Sequence, residues 1–454
     1  MSTESSWLFR KTTIAGISIR GLWLVLGLTV LVFVIASNIA WLNPRPDFAI
    51  YRTIDAYPFM WQYNADAGME IVSAAYFPHG FRTYPQRINR PLYPVVAWSI
   101  GQVIGLLAAP FTDLSELERA GAGYIVMKLA VHIGAALLLV DLLRRKISDR
   151  ATMLVVAVVL LHPHSIAHIA TFHTTELQVL VPIVVLWLLA RIGDTETNDG
   201  TGRKYWRQVV SYTLITSVLM MGKQNFAIYA AILVWALTLR RWREVAVSVA
   251  VFLLPVALYA GFLRLFGLSY RNNEIAAMGQ GVWVFELLTS GPITVWQELS
   301  GLFLRFIING VRFWGIWLVF GLIALGDPQM PLRRREIGLL LLFAGATWAQ
   351  YVAVRRFDVA YLVGDISVYV YGLAAWLLVD RWGIGADRLQ RQTDAWWVRL
   401  AAKRATLTTF IALFGLASVL SFVTLPWLSP WEQPYRDQDY LEDRQEVIEF
   451  HAEQ

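Results

Sequence analysis

Runs of about 20 mainly apolar residues recur along this chain, and that recurrence limits its fold more than any other feature. A run of that length can cross a bilayer as a helix, which satisfies every backbone hydrogen bond within its own segment. The first run lies at Gly21–Leu42. Later ones begin near Leu92, Gly121, Ala151, Leu177, Val209, Phe226, Val245, Phe303, Ile337, Tyr361 and Thr406. Composition points the same way: 57% of the 454 residues are hydrophobic and 16% charged, with a mean hydropathy of +0.49. A soluble domain carries about 25% charged residues. This balance argues against a soluble enzyme, a disordered chain and a nucleic-acid binder. The 20 Trp, 18 Tyr and 23 Phe suit the aromatic belts of membrane interfaces. The absence of Cys excludes disulfides, thiolate nucleophiles and Cys-ligated metals. The first 20 residues carry no cleavage signature, and the run after them is too long for a signal-peptide core, so the N-terminus is expected to stay.

Basic residues near span ends are enriched on the cytoplasmic side. Arg10, Lys11 and Arg20 put the N-terminus inside. The strongest basic connectors are Arg144–Lys146 with Arg150, Arg191 to Arg207, Arg240 to Arg243, Arg333–Arg335, and Arg381 to Arg404. All can lie inside only if one span is crossed between the first long loop and Arg144. Leu92–Ala109 and Gly121–Leu143 then cannot both cross. Leu92–Ala109 is the shorter, carries Pro94 and ends in an acidic connector, so it is expected to lie on or dip into the outer leaflet. The expectation is an all-α polytopic membrane protein of about 11 spans, with a cytoplasmic segment 1–20 and a membrane domain 21–425. A long first outer loop, 43–120, carries the surface helix, and an acidic tail, 426–454, ends outside. The inner face receives short basic loops, so any chemistry is expected outside.

The polar residues at that outer face are Asp47, Asp55, Tyr57, Asp66 and Glu70, then His79, Arg82, Arg87 and Arg90, just ahead of the Leu92 run. A carboxylate at the bilayer surface is placed to accept a proton or bind a cation. Arginines suit a phosphate at headgroup level. Glu70 and Arg82 are read as solvated loop charges, because exposure is the rule for such residues. Asp55, Arg87 and Arg90 are read as functional. A second outer segment runs from His162 through His164, His168 and His173 to Thr175-Glu176. Glu176 opens an apolar helix, where a carboxylate also serves the helix N-terminus. His173 and Glu176 have the spacing of metal ligands on a helix, but no second cluster supports a zinc site. Lys128 and His132 stand one turn apart in the Gly121 run. Intramembrane ionisable residues usually face a cavity or a partner, although a lysine can also snorkel to the interface. Lys223, and Arg355 with Arg356, bring further cations to the outer face.

The order of these features resembles the GT-C superfamily of polytopic glycosyltransferases, which use polyprenyl-phosphate sugar donors. Protein O-mannosyltransferases and lipid A aminoarabinose transferases belong to it. Its large first outer loop carries an acidic residue and a surface helix introduced by an Arg-x-x-Arg-x-Leu-Tyr-Pro type of element. Arg87-Ile-Asn-Arg90-Pro91-Leu92-Tyr93-Pro94 is similar to that element, and Asp55 stands where the acidic residue would. Thr175-Glu176 is similar to the family's second acidic position, and Gly222-Lys223 to a Gly-Lys step before a later span. The resemblance covers about the first 240 residues by pattern and the rest by topology. Two departures stand out. The paired Asp-Glu of many members is absent, which leaves Asp47, Asp55 and Asp66 to compete for that role. After the last span, the sequence reads as an acidic tail with no acceptor-recognition module.

The resemblance implies a bacterial inner-membrane enzyme that transfers a hexose or pentose from a polyprenyl-phosphate donor to a lipid, glycan or protein acceptor. Asp55 would be the base and Glu176 its partner, with Arg87, Arg90, Lys223, Arg355 and Arg356 on the donor phosphate. Asp47, Tyr57, Asp66, Lys128 and His173 would be secondary. A divalent cation, Mg or Mn, held by Asp55, Glu176 and His173 is an open alternative. Two other classes fit a polytopic chain: a transporter or flippase, and an envelope polysaccharide polymerase or ligase. The first calls for paired repeats and mid-membrane polar groups, and neither pattern is evident. The second calls for a major loop late in the chain, whereas the longest here follows the first run.

Overall fold

The computed structural model describes residues 65–83, 88–161, 177–199, 202–222, 230–270, 282–330 and 359–383, with shorter pieces within 13–31, 52–63 and 337–349. Two short antiparallel hairpins come first, β1 (Thr13–Ile14) with β2 (Ile17–Ser18) and β3 (Arg52–Ala56) with β4 (Phe59–Tyr63). The helices follow: α1 (Ala65–Ala75), α2 (Leu92–Ala108), α3 (Glu116–Leu143), α4 (Asp149–Leu161), α5 (Leu177–Asp199), α6 (Arg203–Met220) and α7 (Ala231–Thr238). Next come α8 (Trp242–Leu265), α9 (Val282–Thr289), α10 (Pro292–Trp314), α11 (Ile316–Gly326) and α12 (Val359–Ala375), the last continuing as a π-helical stretch, Trp376–Arg381. The packed core is helical, as expected. By length and composition α3 and α8 can each cross a membrane, and Leu92–Ala108, Leu180–Gly193 and Ile316–Gly326 are shorter apolar helices. The run at Gly21–Leu42 lies largely outside the described residues, and the run from Thr406 and the tail 426–454 lie wholly outside them.

Local chemistry sets boundaries that hydrophobicity misses. The α3 helix starts at Glu116, ahead of the apolar run, because Ser115 and Glu118 form a capping box. The Ser115 hydroxyl accepts from the Glu118 N–H at 3.3 Å, and the Glu118 carboxylate accepts from the Ser115 N–H at 2.8 Å. The run expected as one span from Phe303 is split at Gly315, whose φ of 49° is a left-handed conformation that glycine adopts readily.

The α2 helix packs on the N-terminal part of α3 at backbone contact. Ala97, Gly101 and Gly105 repeat every fourth residue on α2 and face Arg119, Ala120 and Gly123. A Cβ added to Gly123 would collide with the Ala97 carbonyl oxygen, and one on Gly101 with the Arg119 carbonyl. Tyr93 and Tyr124 rings meet at 5.4 Å, and the Gln102 amide donates to Glu116 at 3.0 Å. The α2 face away from this contact exposes Val103, Leu106 and Leu107. Exposed apolar side chains continue on α8 (Leu253, Leu254, Leu258) and α11 (Val319, Leu322), a surface that calls for lipid.

The described members of the basic connectors gather at one end of the helices. Asp141, 5% exposed at the end of α3, accepts from Arg144 (2.7 Å), Arg145 (3.4 Å), Arg191 (2.8 Å) and the Trp187 indole (2.7 Å). Nearby, the Ser148 N–H donates to Asp380 at 2.9 Å, and Arg381 donates to Asp327 at 2.8 Å. Arg241 donates to the Tyr205 hydroxyl at 2.8 Å, within a cluster that includes Ile192. The opposite end carries α1, the start of α2 and the last turns of α6 and α8.

Gly123→Val should force α2 from α3, lowering stability by about 1–3 kcal/mol. Nothing lies within 4 Å of a Cβ added to Gly134, so Gly134→Ala should leave the unfolding temperature unchanged. Equal losses in the two variants would remove the close crossing as the cause.

Candidate functional site

The α1 helix buries one side completely at the end opposite the basic connectors. Glu70, Ser73 and Ala74 are all 0% exposed. The Tyr124 hydroxyl of α3 donates to the Glu70 carbonyl at 3.0 Å, which ties the two helices together. One turn further along α3 stands Lys128, also 0% exposed, and after another turn His132, 9% exposed. The His132 Nδ1 pairs with the Lys128 carbonyl at 3.0 Å. Tyr124, Lys128 and His132 thus form one polar stripe at helical spacing. Beside His132 lies a cavity of about 20 Å³ lined by Val131, Ala135, Leu139, Val156 and Ile183. It has room for roughly one water and none for a sugar. Just past α1, the Tyr76 hydroxyl is pushed above its usual range by burial and, secondarily, by the Glu116 carboxylate.

The segment leading into α2 completes this end. Ile88, Asn89 and Tyr93 are buried, and Arg90 is half-buried. The Leu92 N–H donates to the Met221 carbonyl at 3.2 Å. Met221 and Gly222 form the turn that directly precedes Lys223. The Arg-Pro-Leu-Tyr element and the Met221-Gly222 turn are therefore neighbours in space. An apolar cluster of Phe81, Ile88, Tyr259 and Leu263 seals the junction, with Met221, Phe77 and Phe262 packed against it.

The sequence-predicted residues fare differently. Arg90 and Lys128 stand in this region. Asp55 lies in β3, opposite Met60 of β4, and Asp66 lies in the first turn of α1; for both, only the backbone is described. Asp47, Tyr57, Arg87, His173, Glu176, Lys223, Arg355 and Arg356 lie outside the described residues, as does the side chain of Arg82. One expectation is corrected. Glu70 is not a solvated loop charge, because it sits on the enclosed face of a helix. For Lys128, where the sequence left snorkelling and an enclosed role open, the side chain is fully enclosed, one turn from the Tyr124–Glu70 contact. The signal for Glu70 was present: Ala65–Ala75 is rich in alanine, the strongest helix former. Asn89, Tyr124 and Tyr259 had no comparable signal. Among the described residues, no three His, Asp or Glu side chains stand close enough to hold a metal ion.

The sequence matches no family model and no curated protein. Among solved structures it is similar to the crystal structure of the Archaeoglobus fulgidus oligosaccharyltransferase in the apo form. The TM-score is 0.42 at 15% identity, over 88% of this chain and 55% of that one. The chain thus spans about half the length of that protein.

A buried lysine and a buried glutamate on packed helices stay charged at lowest cost when each offsets the other. Lys128→Met alone should therefore destabilise the protein by about 3–5 kcal/mol. Glu70→Gln in the same chain should restore most of that loss, measured by thermal unfolding in detergent. A double variant no more stable than Lys128→Met would show that the two charges do not compensate.

Proposed function

We propose that this protein is a membrane glycosyltransferase that moves a sugar from a polyprenyl-phosphate donor to an acceptor at the outer face. The observation that carries this reading is the Leu92–Met221 hydrogen bond, which joins the Arg90 element to the turn preceding Lys223. Two cation-bearing elements, distant in sequence, meet beside the half-buried Arg90 and the helix bearing Glu70. Cations held in apolar surroundings suit a lipid phosphate whose negative charge grows as it leaves. The basic connectors at the other end, read by the positive-inside rule, support an outward orientation for this end.

In this mechanism Asp55 accepts the proton of the acceptor hydroxyl or amine as that atom attacks the anomeric carbon. The new bond to the acceptor forms as the bond from the anomeric carbon to the phosphate oxygen breaks. The electron pair leaves with the polyprenyl phosphate. Arg90 and Lys223, with Arg87 and Arg355 or Arg356, stabilise the leaving charge. Glu176 orients the acceptor. A single carboxylate base suits one displacement with inversion at the anomeric carbon.

Asp55→Asn should abolish transfer while leaving insertion and unfolding temperature unchanged, read by mass spectrometry of envelope lipids and glycans. Full transfer in that variant would remove Asp55 from the reaction. Reporter fusions at Ser115 and Ser148 test the orientation. An outside signal at Ser115 and an inside signal at Ser148 are expected, and the reverse overturns the outer-face reading.

A further inference from the structure

The hydroxyl of Tyr259 is buried, and among the described residues no hydrogen-bonding group reaches it. The residue is only 8% exposed. A phenol in that state is less favourable than a phenylalanine filling the same space, so fold stability does not explain the hydroxyl. Its position does. Tyr259 belongs to one apolar cluster with Ile88, two residues before Arg90, and Met221, two residues before Lys223 in sequence, packs against that cluster. The phenol thus stands in the cluster that joins the Arg90 segment to the Met221-Gly222 turn. Its ring is braced by Phe262, stacked at 6.3 Å, and by Tyr270, edge-on at 6.1 Å. Among the described residues, two other buried hydroxyls, those of Ser73 and Thr152, also make no bond. However, the Ser73 backbone is covered by Gly80, and Thr152 begins α4 near the basic end.

We propose that Tyr259 is a phosphate-binding residue of the donor site, its hydroxyl donating to a phosphate oxygen of the polyprenyl-phosphate lipid. This rests on the transferase reading above and adds to it a neutral donor beside the cations. A neutral O–H hydrogen-bonds a charged phosphate oxygen more strongly than a neutral one, while adding no charge to the apolar wall.

The test compares the full-length protein with its Tyr259→Phe variant in nanodiscs, with undecaprenyl phosphate as probe and undecaprenol as the phosphate-free control. The variant should unfold at the wild-type temperature or slightly above, because no bond is lost. Its affinity for undecaprenyl phosphate should fall about tenfold. Undecaprenol should bind weakly and equally to both proteins. If the wild type binds undecaprenyl phosphate and the variant binds it equally well, the assignment to Tyr259 fails while the donor reading stands. A lower unfolding temperature in the variant also overturns the assignment, because the hydroxyl then has a structural bond. A wild type that does not bind undecaprenyl phosphate overturns both.

Discussion

A charge enclosed by apolar helices has to be matched, and the end of α3 meets this demand at Asp141. At one end the nearly buried Asp141 draws Arg144, Arg145, Arg191 and the Trp187 indole onto one carboxylate. Removing any of these donors leaves the carboxylate less well compensated, which is why such clusters fix the geometry of the helices that supply them. Here the helices fixed are α3 and α5. Towards the other end, Lys128 is enclosed where α1 lies over α3, and α1 brings the equally enclosed Glu70. Dispersion and burial hold the middle of the helix, but the polar groups set its register.

The crossing of α2 on α3 turns this frame into a site. Small residues on both helices allow backbone contact, so α2 has almost no freedom to slide. That contact fixes the direction in which the chain enters α2, and with it the place of Asn89 and Arg90. The hydrogen bond from Leu92 to Met221 then ties the same entry point to the end of α6. The start of α2, the helix α3 and the turn after α6 therefore share one junction. Phe81, Ile88, Tyr259 and Leu263 pack there as an apolar cluster.

Much of this was legible from residue order. Apolar runs marked the helices from α3 to α8 and the start of α12, because length and hydropathy are local properties. The basic connectors were legible as a group, and the structure gathers their described members at one end. Boundaries were less so, because a capping box at Ser115 and a left-handed glycine at Gly315 act through backbone geometry that hydropathy does not register. The site was half legible. Arg90 and Lys128 stood out as cations beside apolar sequence. Glu70 was misjudged because its burial depends on a partner helix about fifty residues away, joined to it through Tyr124.

The sequence by itself determined that this chain is helical and apolar enough to need lipid, and which residues are costly to bury. Those facts follow from side-chain chemistry and spacing along one segment. The tertiary structure alone decided which of those residues meet. Contacts such as Leu92 with Met221 and Tyr124 with Glu70, and the cluster shared by Tyr259 and Ile88, depend on how separate helices cross. Crossing is set by the close fit of small residues and by the pairing of enclosed polar groups, and neither is a property of any single segment.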